Sequence, residues 1–209
     1  VEASIAHVIM LGRCGTLPTA RAARLLAGLH RLWDQWGTGI ESPYFDGTSE
    51  DPYYFLEHRL AEACGIDRAD LDVQLARSRN DLDSGVFRMI LRRMVLDELD
   101  LLVQLIGDTA EKTDETVDAV IVGYTHRRPA QPTTIAHVLN GVAHAWLSQV
   151  GGLLGAYDEL NVSPLGGAAF AGTDLAVDAA VVADLLGFDS SYESSYEAIA
   201  GAEHLMRLA

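Results

Sequence analysis

Lysine is almost absent from this chain of 209 residues. Lys112 is the only one, so Schiff-base and cofactor-lysine chemistry have no credible carrier. Cysteine is scarce too: Cys14 and Cys64 stand far apart with no CxxC pair. That pattern fits a reducing cytoplasm and offers neither a disulfide framework nor a good nucleophile. Positive charge is outnumbered, 15 basic against 30 acidic residues, for a formal net charge of -15. Nucleic acid and anionic membranes both want a basic face, so neither is an expected partner, and any anionic ligand must be held by a local cluster. No apolar run is long enough to span a membrane. The apolar start, Val1 to Leu11, lacks the basic flank and cleavage pattern of a secretory signal. Strand signals are nearly absent as well.

What remains reads as helix after helix. Hydrophobic residues make up 49% of the chain, enough to bury a sizeable core in one large or two small domains. Apolar residues recur at three- and four-residue spacing over Ser4 to Leu11 and Thr19 to Trp36, with Thr19 as a candidate N-cap. The stretch from Gly37 to Asp51 is polar and rich in Gly, Pro and Ser, which predicts a loop. Pro52 suits a first helical turn and Gly65 a helix end, predicting a third helix over 52–64. Two long helices follow, from Leu82 to about Thr116 and from Thr133 to Leu160. Helices of that length must bury a stripe against others, so a bundle is the expected architecture. The segment 166–173 reads as a small-residue loop, with shorter helices over 174–186 and 196–208.

Two polar islands interrupt the apolar pattern. Arg77-Ser78-Arg79-Asn80-Asp81 offers guanidinium forks, a hydroxyl and an amide; Gly123-Tyr124-Thr125-His126 adds an imidazole, a side chain able to take up or release a proton. Such groups grip and orient a small polycarboxylate. The bland alternatives are a solvated arginine pair bridging to Asp81 or Asp83, and a loop histidine capping the next helix. His137 and His144 lie seven apart on one helical face with no third partner nearby, so no metal site is expected.

With these islands, the blocks Ser4-Ile5-Ala6-His7, Pro129-Ala130-Gln131-Pro132, Asn161-Val162-Ser163-Pro164-Leu165-Gly166 and Ala171-Gly172-Thr173 with Asp178 make the chain resemble argininosuccinate lyase, of the fumarase/aspartase superfamily. The resemblance covers essentially the whole chain but only about the first half of a family subunit. It implies an all-α subunit with a small N-terminal helical domain (1–76), followed by part of the central long-helix bundle (77–209). It further implies a tetramer whose active sites each draw on three subunits, and an anti β-elimination that releases fumarate without metal or organic cofactor. Carried over residue by residue, Arg77, Ser78, Arg79 and Asn80 bind the substrate's carboxylates, and Thr125 and His126 sit at the reacting centre. Gln131, Arg127, Arg128, Tyr53 and Ser163 are further candidates.

Departures from the family pattern fall on functional positions. Tyr53-Tyr54 stands where the lyases carry His-Thr or His-Ser, Arg127-Arg128 replaces Leu-Gln, Ala179 replaces an arginine, and Gly201-Ala202 replaces Asp-Arg. The signature loop Ser-Ser-x-Met-Pro-x-Lys, which supplies the serine base, is not in the sequence. Three readings stay open: a piece of a longer lyase, one half of a split lyase completed by a partner chain, or a homologue that lost catalysis and serves as a ligand-binding or assembly subunit. The substrate class expected is an N-substituted aspartate or succinyl conjugate, and the bland reading of Arg127 and Arg128 is exposure at a helix start.

Overall fold

The computed structural model describes residues 1–36, 47 and 51–208. Most of the loop expected over Gly37 to Asp51 therefore lies outside the described residues. The fold is all-α: α1 (Glu2–Arg13), α2 (Thr19–Trp36), α3 (Pro52–Cys64), α4 (Arg79–Glu115), α5 (Ile135–Leu160), α6 (Ala179–Leu185), α7 (Ser195–Ala200) and α8 (Glu203–Leu208). Two 3₁₀ turns, Arg68–Asp70 and Asp72–Gln74, lead into α4.

α3 shows how local chemistry sets boundaries. Asp51 is its N-cap, accepting from the Tyr53 and Tyr54 amides at 2.8 and 3.1 Å; Pro52 fills a first-turn site, and Gly65 closes the helix at φ 61°. Thr19, by contrast, is already helical and is not the cap of α2. Asp178 is the cap of α6, accepting from Ala180 and Val181, which accounts for that carboxylate without a ligand.

The chain divides into two compact units, one of residues 1–88 with 161–201 and one of 89–160 with 202–209. In the first, α2 packs against α1 and α3, and α1 against α6. Val8, Leu11, Leu29, Leu60 and Val182 form its core, all almost wholly removed from water. A short parallel pair, β3 (Val162–Ser163) with β4 (Ser190–Ser191), ties the loop after α5 to the segment after α6. In the second unit, Val95, Leu99 and Leu160 pack with Leu91, Val150, Leu153 and Tyr157 to join α4 and α5. Many apolar residues of these two helices stay exposed, among them Ile90, Met94, Leu101, Val103 and Leu147.

Between α4 and α5 stands an antiparallel hairpin, β1 (Val120–Thr125) and β2 (Arg128–Thr134), where sequence periodicity gave almost no strand signal. Its first strand is β-branched at Val120, Ile121 and Val122, but Pro129 and Pro132 disguise the second.

Candidate active site

The first island begins α4. Ser78 precedes the helix, and its Oγ accepts from the Asn80 amide at 3.2 Å while its own N–H donates to Asp81 Oδ1 at 3.0 Å. This is the reciprocal capping arrangement that fixes a helix start, here with aspartate in the third position. The other oxygen, Asp81 Oδ2, accepts from the Gly166 and Ala168 amides at 3.2 and 3.1 Å, and Asn80 Nδ2 donates to the Ala169 carbonyl at 3.0 Å. The loop after β3 is thereby clamped to the start of α4, with Gly166 at φ 107° and Ala168 at φ 52°. Asp81 has no exposure. Burial pushes its carboxyl above the usual value, opposed by the three amide donors and by Arg77.

The two arginines have different fates. Arg79 pairs with Asp51 and, at 3.1 Å, with Asp83, and its guanidinium lies 5.0 Å from the centre of the Tyr53 ring. Asp51 therefore caps α3 and anchors α4 at once, and its bond to Arg79 holds its carboxyl below the ordinary range. Arg79 keeps 35% of its side chain exposed, so a ligand carboxylate can reach it. Arg77 is buried: its Nε–H donates to Gln74 Oε1 at 2.7 Å and one terminal nitrogen to Ser4 Oγ at 3.2 Å. Its other terminal nitrogen and the buried Tyr53 hydroxyl lack a partner within strict hydrogen-bond geometry, although the two groups interact. Burial lifts the Tyr53 phenol well above its ordinary value, so it stays protonated. His7 lies in the same interior cluster, with Nε2 donating to the Leu75 carbonyl at 2.8 Å; burial first and then Arg77 lower its pKa to about 4. Ser163 is buried, and its Oγ accepts from the Leu165 amide, a bond that shapes the loop.

The second island is the hairpin turn. Thr125 pairs with Arg128, leaving His126 and Arg127 as a two-residue turn with φ 48° and 64°. Such turns need positive φ at both central positions and favour Asn-Gly. Neither residue sits at a helix start: α5 begins only at Ile135, where Thr134 Oγ1 accepts from the His137 amide. The bland expectations, a capping His126 and arginines at a helix start, are thus corrected by the hairpin. Ala130 is the extra residue of a bulge, since Gly123 pairs with Gln131 and Tyr124 with Pro129. Thr125, Arg128 and Gln131 consequently share one face.

Tyr53, Arg77, Ser78, Arg79, Asn80 and Ser163 belong to the first unit; Thr125, His126, Arg127, Arg128 and Gln131 belong to the second. Among the described residues no group of three or more His, Cys, Asp or Glu is placed to hold a metal ion. Sequence reasoning missed the role of Asp51. Its Asp-Pro signal announces a helix cap, but nothing local announces a bond to Arg79.

A family model described as lyase matches residues 46–209. The chain belongs to this lyase family. It is an argininosuccinate lyase-like member of the fumarase/aspartase superfamily. The argininosuccinate lyase of Methanocorpusculum labreanum is 34% identical over 99% of this chain and 41% of its own length; that of Halobacterium salinarum is 36% identical over 96% and 40%. The chain thus spans about two-fifths of the length of these lyases. Among solved structures, an EDDS lyase in complex with formate matches 99% of this chain and 39% of its own, with TM-score 0.85 and 30% identity. A class II fumarase from Schistosoma mansoni, at 15% identity and TM-score 0.79 over 99% of this chain and 51% of its own, shares the lyase fold.

Proposed function

We propose that the chain supplies residues to active sites, each shared among subunits, for anti β-elimination of an N-substituted aspartate, releasing fumarate and an amine. In that reaction the Cβ–H bond breaks, its electron pair forms the new C=C bond, and the C–N bond breaks with the pair leaving on nitrogen. Charge builds on the carboxylate next to the carbon that loses its proton, so fixed donors there lower the barrier. Arg79, with Asn80 and Ser78, meets the substrate's carboxylates. Thr125 orients the reacting centre, and His126 moves a proton or positions the group that does. Arg77 acts from the interior by holding the strand of chain that presents Ser78 and Arg79. The serine of the signature loop comes from a segment beyond this sequence or from a partner chain.

The observation that carries this reading is the left-handed turn at His126 and Arg127. Two non-glycine residues held there cost on the order of 1–3 kcal/mol each, a strain that clusters at functional sites. The exposed apolar residues of α4 and α5 support self-association or association with a chain of the same family, as a tetramer with shared sites.

One observation favours a second reading, that of a catalytically inactive binding or assembly subunit. Ser78 Oγ accepts from the Asn80 amide and Asn80 Nδ2 donates to the Ala169 carbonyl, so both side chains have a role in shaping the fold that requires no substrate. Incubation with argininosuccinate, with and without a co-encoded chain carrying the signature loop, decides between them through the ultraviolet absorbance of fumarate. Release abolished about 100-fold by His126→Asn supports the enzyme. Biological activity unchanged by that substitution supports the assembly role.

A further inference from the structure

The longest stretch of this chain without a carboxylate is the one that holds the hairpin. No aspartate or glutamate occurs between Asp118 and Asp158, in a protein with 30 of them. Arg127 and Arg128 stand side by side within that stretch, both exposed. Elsewhere Arg21, Arg59, Arg68 and Arg79 are each paired with an acid, whereas neither hairpin arginine makes an ion pair among the described residues. Two uncompensated cations thus share the tip with His126, and Arg127 is held at φ 64° where glycine would be the easy choice.

The register says what these cations can bind. Arg128 is the cross-strand partner of Thr125, and such partners have Cβ atoms about 4.5–5.5 Å apart. Gln131 lies farther along the same face, opposite Gly123, which contributes no side chain there. A Cβ at Gly123 would approach the Gln131 carbonyl to 3.1 Å. Thr125, Arg128 and Gln131 are all exposed, so this face offers a guanidinium fork, a hydroxyl and an amide, all able to donate to one carboxylate.

We propose that this hairpin tip, through Arg128 and Arg127, holds a carboxylate on the amine half of the substrate, so that the protein prefers succinyl conjugates whose amine portion is acidic. This inference rests on the lyase reading above. A net cationic amine portion, such as the arginine of argininosuccinate, whose guanidinium and ammonium outweigh its single carboxylate, would be disfavoured by the same pair.

The test compares two substrates with the full-length protein and any partner chain its activity requires. Iminodisuccinate carries aspartate as its amine portion, and argininosuccinate carries arginine. The parent should show the higher kcat/KM for iminodisuccinate. Arg127→Gly combined with Arg128→Gln should lower the iminodisuccinate to argininosuccinate ratio by about tenfold or more, as expected for loss of a charge-assisted fork. Glycine suits the turn, so this variant keeps its fold, as circular dichroism will check. Arg128→Lys, retaining charge without the fork, should fall between the two. A ratio unmoved within about twofold overturns the inference while argininosuccinate turnover leaves the lyase reading standing. Absence of fumarate release from either substrate overturns both.

Discussion

Asp81 and Gly166 lie 85 positions apart in sequence and are joined by one hydrogen bond, from the glycine amide to Oδ2 at 3.2 Å. The same carboxylate also accepts from Ala168 and from Ser78, so one side chain satisfies three amides on two segments. Asp81→Asn exchanges one acceptor oxygen for an NH₂ group that must face at least one of these donors. A buried donor left unsatisfied beside a lost charged bond predicts destabilisation of about 2–4 kcal/mol. Urea denaturation will measure it, and a midpoint equal to the parent's would show the clamp to be idle.

Gly28 sits on α2 where a Cβ would come 2.3 Å from the Cys64 sulfur and 3.0 Å from Leu60 Cδ1. Gly28→Ala should therefore cost about 1–3 kcal/mol by overpacking despite alanine's better helix propensity. Combining it with Cys64→Ala removes the obstructing sulfur, so the double variant should lose less stability than the sum of the two single changes.

His7 makes stability depend on pH. Its value is about 4 in the folded chain against an ordinary 6.5, so between those limits the unfolded chain takes up a proton that the folded chain refuses. Stability should therefore fall as pH drops from about 6.5 to 4, by on the order of 3 kcal/mol, with no further loss from this group below that. His7→Gln keeps a donor for the Leu75 carbonyl and removes the titration. Its thermal midpoint should vary less across this window than the parent's.

Arg79 separates stability from binding. Both of its ion pairs are partly exposed, so Arg79→Gln should change the unfolding free energy by less than about 1 kcal/mol. If Arg79 grips a substrate carboxylate, the same substitution should raise KM for a succinyl conjugate at least about tenfold. A KM equal to the parent's would remove Arg79 from the binding site.

Local rules were legible wherever a few neighbouring residues decide the outcome. Pro52 and Gly65 bracket α3 as expected because a missing amide and a left-handed φ are properties of single residues. The hairpin escaped because its turn is His-Arg rather than Asn-Gly and its second strand carries two prolines, so tertiary context holds what local preference would not. The Arg77 to Asp81 island read as a uniform grip, yet Arg77 and Asp81 turn inward while Arg79 stays accessible. Their partners, Ser4, Gly166 and Ala168, are 73 to 87 positions away, and no spacing rule reports contacts at that range.

The first unit is assembled from two stretches of chain, and that has a consequence at the ribosome. Residues 89–160 must be translated before Asn161 to Gly201 can emerge, a delay of roughly 4 to 14 s at ordinary elongation rates. Throughout that interval the N-terminal helices lack Val182, Phe188 and the amides that Asp81 will accept, and the apolar faces of α4 follow them into solvent. A nascent chain in this state is a substrate for chaperones, and slowing translation downstream of residue 88 should lower its soluble yield.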